Sequence, residues 1–234
     1  MVHFLYISDV FCPWCYGFAP VMRRLTAEHP DLPVRVLSGD LVEEPTTVEA
    51  MIREHPTMRA FFDRLSRTTG QSVGGNFLRR LDPGQGDLRM FSPDMAAPLA
   101  ALKKAAPGRE LEQMEAFQTA FYGEGRDVLS LDEQRDLVRR ELAGGEGFER
   151  LLNAPDVLAS AEREREEAVA IMGDFVVYPT LFLETDDGGR HLLARGYTHY
   201  DTVAARLAAA LGGGATEPAA ASADACGLDG ACPL

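Results

Sequence analysis

The sequence predicts an α/β fold, a mixed four-stranded sheet covered by helices and carrying a large helical insertion. Three observations carry that reading. "VHFLYIS" and "LPVRVLS" are short β-rich runs with a helical stretch between them. "PTLFLE" and "RHLLAR" are a second pair of such runs, joined by the turn signal "DDGG". Between the two pairs, apolar residues recur mainly at helical spacing.

Each element follows in order. Residues 2–8 read as a buried strand, and Asp9 to Phe11 turn the chain. A helix starts near Cys12, with Pro13 at the first helical position, where its missing N–H would have no partner in any case. Trp14, Phe18, Met22 and Leu25 share the core face of this helix, and Pro20 should kink it. Residues 32–38 are a second strand, and a strand–helix–strand of this length makes the two strands parallel. From 45 to 173 the signals are helical. Met51, Ile52, Met58, Phe61, Phe62 and Leu65 keep the helical period, and Gly and Pro clusters at 70–75 and 82–86 break it. "DMAAPLAALKKAA", "RELEQMEAFQTAFYGEG", "SLDEQRDLVRRELAG" and "DVLASAEREREEAVAIMG" are four further helices, one opened by a capping box of Ser130 and Glu133. No strand is expected in this region. Strands at 179–184 and 190–195 flank the turn at 186–189. Gly196 ends the second of them at a tight turn, and Thr198 caps a last helix running to about Leu211. Residues 1–44 and 174–211 therefore form one discontinuous domain, 45–173 an inserted helical subdomain, and 212–234 a flexible tail.

Composition excludes several functions. With 234 residues, 46% of them hydrophobic, the chain builds a sizeable core. Its net charge of −13, with no basic stripe, argues against nucleic acid and against an anionic membrane surface as partners. No apolar run approaches the ~18 residues of a membrane helix. The N-terminal run lacks a positive region and a small-residue cleavage site, so a cytoplasmic location is expected.

Four cysteines fall in two pairs, Cys12 with Cys15 and Cys226 with Cys232. Three pairings are open in principle. In a reducing cytosol, sequence-local pairs fit exchange chemistry, redox sensing or a metal better than a lasting structural disulfide. "CPWC" follows a strand and opens a helix, which is the context of a redox pair. A zinc site is the alternative, but no His-x₃₋₅-His stands at finger spacing. Unpaired N–H groups at a helix N-terminus favour a thiolate and are expected to lower the Cys12 pKa. Cys12 is thus the nucleophile and Cys15, one turn on, the resolving thiol. Pro13 stiffens the turn between them and Trp14 covers the site.

Pro179 begins a strand in "VVYPTLFLE". The plain reading is punctuation of a strand whose first residue needs no ladder donor. The sharper one is a cis peptide bond between Tyr178 and Pro179 against the cysteine pair, with the Tyr178 backbone left to pair with an extended substrate.

With "SDVFCPWCYGFAPVMRRL", the helical insertion and "YPTLFL" in place, the chain resembles the DsbA branch of the thioredoxin superfamily. "AFQTAFYGEGRDV" is similar to the insertion of its cytoplasmic, FrnE-like members. The resemblance spans about residues 3 to 211. It implies a thioredoxin-like fold, dithiol–disulfide exchange on protein substrates, Cys12 and Cys15 as the redox pair, and Pro179 as the cis-proline. It implies no metal or organic cofactor, with glutathione as a candidate co-substrate and glutathione or a thioredoxin-type protein as recycling partner. Pro13 and Trp14 stand where the family's periplasmic oxidants usually carry a histidine, which leaves the direction of exchange open. Two other readings compete. One is a glutathione-dependent transferase or isomerase of the same architecture, which generally uses serine in place of the pair. The other is a redox-switched holdase chaperone. The tail pair Cys226–Cys232 is a candidate auxiliary redox pair, because a 14-residue flexible linker reaches roughly 20 Å on average.

Overall fold

The computed structural model describes residues 1–85, 87–141 and 147–212. Strand β1 (His3–Ser8) is buried from Phe4 onward, so apolar side chains on both of its faces require cover on both. Helix α1 (Pro13–Glu28) leads to strand β2 (Val34–Ser38), which lies parallel to β1 with Phe4 beside Val34 and Ser8 beside Ser38. α1 continues through Pro20, whose missing N–H gives up one bond of the helix.

The insertion comprises β3 (Thr46–Thr47), α2 (Val48–Glu54), α3 (Met58–Thr69), α4 (Gly75–Arg80), β4 (Arg89–Met90), α5 (Pro93–Ala105) and α6 (Glu110–Gln118). A π-helical turn over Thr119–Gly123 extends α6, and α7 (Leu131–Glu141), α8 (Phe148–Leu152) and α9 (Pro155–Met172) complete it. The segment departs from an all-helical reading at one place. β3 and β4 form a short antiparallel ladder, Thr46 beside Met90 and Thr47 beside Arg89. Two-residue strands are too short to show an alternating pattern in sequence. The capping box is also corrected. Glu133 turns its carboxylate to Arg126 and the Ser130 N–H donates to Asp127, so the reciprocal half of the box is missing.

Strands β5 (Thr180–Glu184) and β6 (Arg190–Arg195) and helix α10 (Tyr200–Leu211) close the fold. The sheet order is β2–β1–β5–β6, with β5 antiparallel to β1 and β6 antiparallel to β5. This is the mixed four-stranded sheet expected. α10 starts one residue later than predicted, with His199 at its cap, because the Thr198 hydroxyl donates back to Gly196 O instead.

The central strand and the inner face of α1 meet in the core. Phe4, Leu5, Ile7, Phe18, Met22 and Leu25 are fully buried. Each such side chain contributes about 1.5–3 kcal/mol of burial. The insertion covers the outer edge of β2, where an open strand would invite foreign pairing. Glu110 Oε2 accepts the Val36 N–H at 2.7 Å and Lys103 Nζ donates to Val36 O at 2.6 Å. Beside them Arg35 forks onto both oxygens of Glu167, at 2.7 and 2.6 Å.

Candidate active site

The chain leaves β1 at Ser8, turns through Asp9–Phe11 and enters α1 at Cys12. Cys12 is the N-cap residue, with extended backbone angles (φ −85°, ψ 112°). Its Sγ accepts the Cys15 N–H at 3.1 Å, so a thiol does what a Ser or Asp side chain does at other helix starts. Pro13 takes the first helical position. Both thiols are free, Cys12 is 3% exposed and Cys15 is fully buried. Trp14 packs edge-on against Phe61 at 5.8 Å and tilted against Tyr197 at 5.8 Å.

The expected fall in the Cys12 pKa is overturned by its surroundings. Burial pushes the thiol up, and the Cys15 thiol and the Asp9 carboxylate push it further, while the Cys15 N–H pulls it down. A helix terminus was legible in the sequence, but the depth of the site was not.

The floor beneath the pair is a set of satisfied polar groups. Asp9 is buried and accepts the N–H groups of Phe11 at 2.8 Å and Leu41 at 3.2 Å. Burial raises its pKa, and those hydrogen bonds oppose the rise. Gln118 reaches in from the end of α6 and donates to Asp9 O at 2.9 Å and to Ser8 Oγ at 3.2 Å. Tyr122, in the π-helical turn, donates to Phe11 O and stacks on Tyr16 at 5.2 Å. Phe121 meets Phe11 edge-on at 5.1 Å. The insertion thus grips the turn that presents Cys12. Asp9, Gln118 and Tyr122 escaped the sequence reading. Asp9 alone left a signal, as an acid set between a buried strand and a cysteine.

The second segment arrives on β5. Ile7 lies beside Thr180, which sets Tyr178 and Pro179 next to the end of β1. Their peptide bond is cis. Gly196, at φ +74°, donates to Pro179 O at 2.7 Å. That backbone conformation favours glycine. The Tyr178 hydroxyl accepts the Asp40 N–H at 2.9 Å, and its ring lies so close over Gly39 that a Cβ there would stand 2.5 Å from it. Burial raises the pKa of that hydroxyl, the Asp40 N–H opposes the rise, and Asp9 and Cys15 add to it. Among the described residues, no backbone hydrogen bond engages the N–H or C=O of Tyr178. Cys12, Pro13, Trp14, Cys15, Tyr178 and Pro179 are therefore gathered at one end of the sheet. Cys226 and Cys232 lie outside the described residues.

No protein-family model matches the chain, and no curated protein matches it. Solved structures do. A candidate protein disulfide isomerase from Nitrosomonas europaea superposes with a TM-score of 0.76 at 21% identity, covering 91% of this chain and 98% of that one. The cytosolic disulfide reductase DsbM from Pseudomonas aeruginosa gives 0.69 at 23% identity, covering 89% and 98%, and has also been solved with GSH. A 2-hydroxychromene-2-carboxylate isomerase gives 0.57 at 15% identity, covering 89% and 94%. The chain therefore has the fold these proteins share, and since they bear both disulfide-exchange and isomerase names, its chemistry is to be read from its own side chains.

Proposed function

We propose that the chain is a thiol–disulfide oxidoreductase of the DsbA type, acting in the cytoplasm on disulfide-containing proteins. The observation that carries the reading is the pair itself: two free thiols one helical turn apart, the first capping the helix and accepting the N–H of the second. Cys12 attacks a substrate disulfide, and Cys15 then attacks Cys12 Sγ and releases the substrate thiol. As the Cys12 thiolate forms, the Cys15 N–H stabilises it at the helix N-terminus. Pro13 and Trp14 tune the pair, and the Tyr178 backbone beside Pro179 pairs with the substrate chain. The two cysteines carry the electrons without an organic cofactor. Glutathione or a thioredoxin-type protein resets them. The fold shared with DsbM, itself solved with GSH, supports glutathione in that role.

Insulin reduction with glutathione as electron source tests the reading. Cys12→Ser is expected to fall to the uncatalysed rate, and Cys15→Ser to accumulate a mixed disulfide with the substrate, visible by mass. Undiminished turnover in Cys15→Ser would point instead to a glutathione-dependent transferase or isomerase. Client protection as the sole activity, surviving loss of both thiols, would point to a chaperone.

A further inference from the structure

The partly buried arginines of this acidic chain find acceptors almost without exception. Arg35, Arg80, Arg109, Arg126, Arg135 and Arg165 pair with carboxylates, and Arg206 donates to Leu193 O. Arg64 and Arg195 do not. Among the described residues, neither guanidinium makes a hydrogen bond or an ion pair, and the Nε of each is buried without a partner. Withdrawing a guanidinium from water without an acceptor is unfavourable. A fixed fork of donors left in that condition matches an incoming carboxylate.

Their placement gives the ligand its shape. Arg64 lies 5.6 Å from the Phe61 ring, and Phe61 is the edge against which Trp14 packs. On the other wall Arg195 pairs across the ladder with Thr180, the residue after Pro179, and lies 5.5 Å from the Phe175 ring. Tyr197 joins the walls, packing on Trp14 and donating to Thr68 O of α3 at 3.3 Å. Each guanidinium lies within reach of an aromatic ring face or edge, 5.6 Å from Phe61 and 5.5 Å from Phe175. Arg64 thus connects to Trp14, the residue between the thiols, through Phe61, and Arg195 lies two residues before Tyr197, which packs on the same tryptophan. A ligand to match carries a carboxylate at each end and a sulfur in the middle.

We infer that Arg64 and Arg195 are binding residues that seat glutathione, one carboxylate each, with its sulfur at Cys12. The inference rests on the disulfide-exchange reading and adds the residues that select the small thiol. In the oxidising direction, the Cys12 thiolate attacks one sulfur of glutathione disulfide and one glutathione thiolate leaves. The Cys15 thiolate then attacks Cys12 Sγ and the second glutathione leaves. The protein dithiol loses two electrons, the disulfide gains them, and the two thiol protons end on the two glutathiones. Glutathione reduces the oxidised pair by the reverse steps.

The test is the second-order rate of oxidation of the reduced full-length protein, followed by Trp14 fluorescence, with two disulfides. Glutathione disulfide carries the carboxylates, and bis(2-hydroxyethyl) disulfide carries no charge. Arg64→Gln and Arg195→Gln are each expected to slow the first reaction about tenfold, the loss of one ion-paired contact. The second should stay within about twofold of the unsubstituted protein. Arg→Lys at either position should restore part of the loss. Equal slowing with both disulfides, or no slowing with either, would overturn the assignment. So would a loss seen with an acidic protein disulfide and not with glutathione disulfide. A reduced protein that reacts with neither small disulfide before any substitution would instead overturn the oxidoreductase reading beneath it.

Discussion

The floor and the rim of the site are built on opposite terms. On the floor, polar groups are matched: Asp9 takes two N–H groups, Gln118 donates twice, and Tyr122 closes on Phe11 O. On the rim they are not. Arg64 and Arg195 have no acceptor among the described residues, and Leu41, Phe175 and Val176 expose 45%, 39% and 48% of their surface. A matched floor holds a thiol in one place. A rim of unmatched cations and apolar side chains is a surface whose partners arrive from outside. The difference separates residues that position the chemistry from residues that choose what undergoes it.

Breaking the floor should have the largest effect. Gln118→Leu takes the amide donor from Ser8 Oγ and leaves Asp9 O only the longer bond from the Cys12 N–H at 3.3 Å, and it is expected to cost about 1–3 kcal/mol of stability. Tyr122→Phe, which orphans Phe11 O, is expected to cost a similar amount. Denaturant titration measures both. Changes below about 0.5 kcal/mol in the two variants would mean that the floor is not matched as described.

The next effect is electrostatic. With its pKa raised by burial, the Cys12 thiol keeps its proton to higher pH than a free cysteine, whose value is about 8.5. Alkylation of the reduced protein should therefore still be rising with pH beyond that value. Asp9 contributes to the rise, so Asp9→Asn is expected to move the profile toward lower pH and to speed alkylation at neutral pH. A plateau at acidic pH in the unsubstituted protein would contradict this environment and restore the helix terminus as the dominant influence.

Sharpening the rim needs the smallest changes. Leu41→Ser and Val176→Ser, both at exposed positions, should leave stability within about 0.5 kcal/mol. They should slow exchange with an unfolded protein substrate several-fold and leave exchange with glutathione alone. Equal loss with both substrates would remove these residues from the protein-binding side of the rim.

The contrast also explains what was legible in the sequence. β1, α1 and β2 announce themselves because strand and helix periods bracket "CPWC", and Pro179 stood out as a proline opening an apolar strand. Those local patterns located the thiols and the Tyr178–Pro179 segment. The floor is built by contacts over long sequence separations, such as Gln118 to Ser8 and Tyr122 to Phe11, and no period in the chain records them. The same holds for the Cys12 pKa, which follows from the depth of the site and from the Cys15 thiol and Asp9 carboxylate beside it. The missed β3–β4 ladder and the missed start of α10 are of the other kind, local choices settled by one or two hydrogen bonds.

The reduction potential of the Cys12–Cys15 couple tests the central claim most directly. It is read from Trp14 fluorescence in glutathione redox buffers, with Cys226 and Cys232 replaced by serine in the full-length chain. A single reversible two-electron transition is predicted, abolished by Cys12→Ser. A value near the ~−270 mV of thioredoxin would assign the reducing direction, and one near ~−120 mV the oxidising direction. The absence of any reversible transition would contradict disulfide exchange at this site.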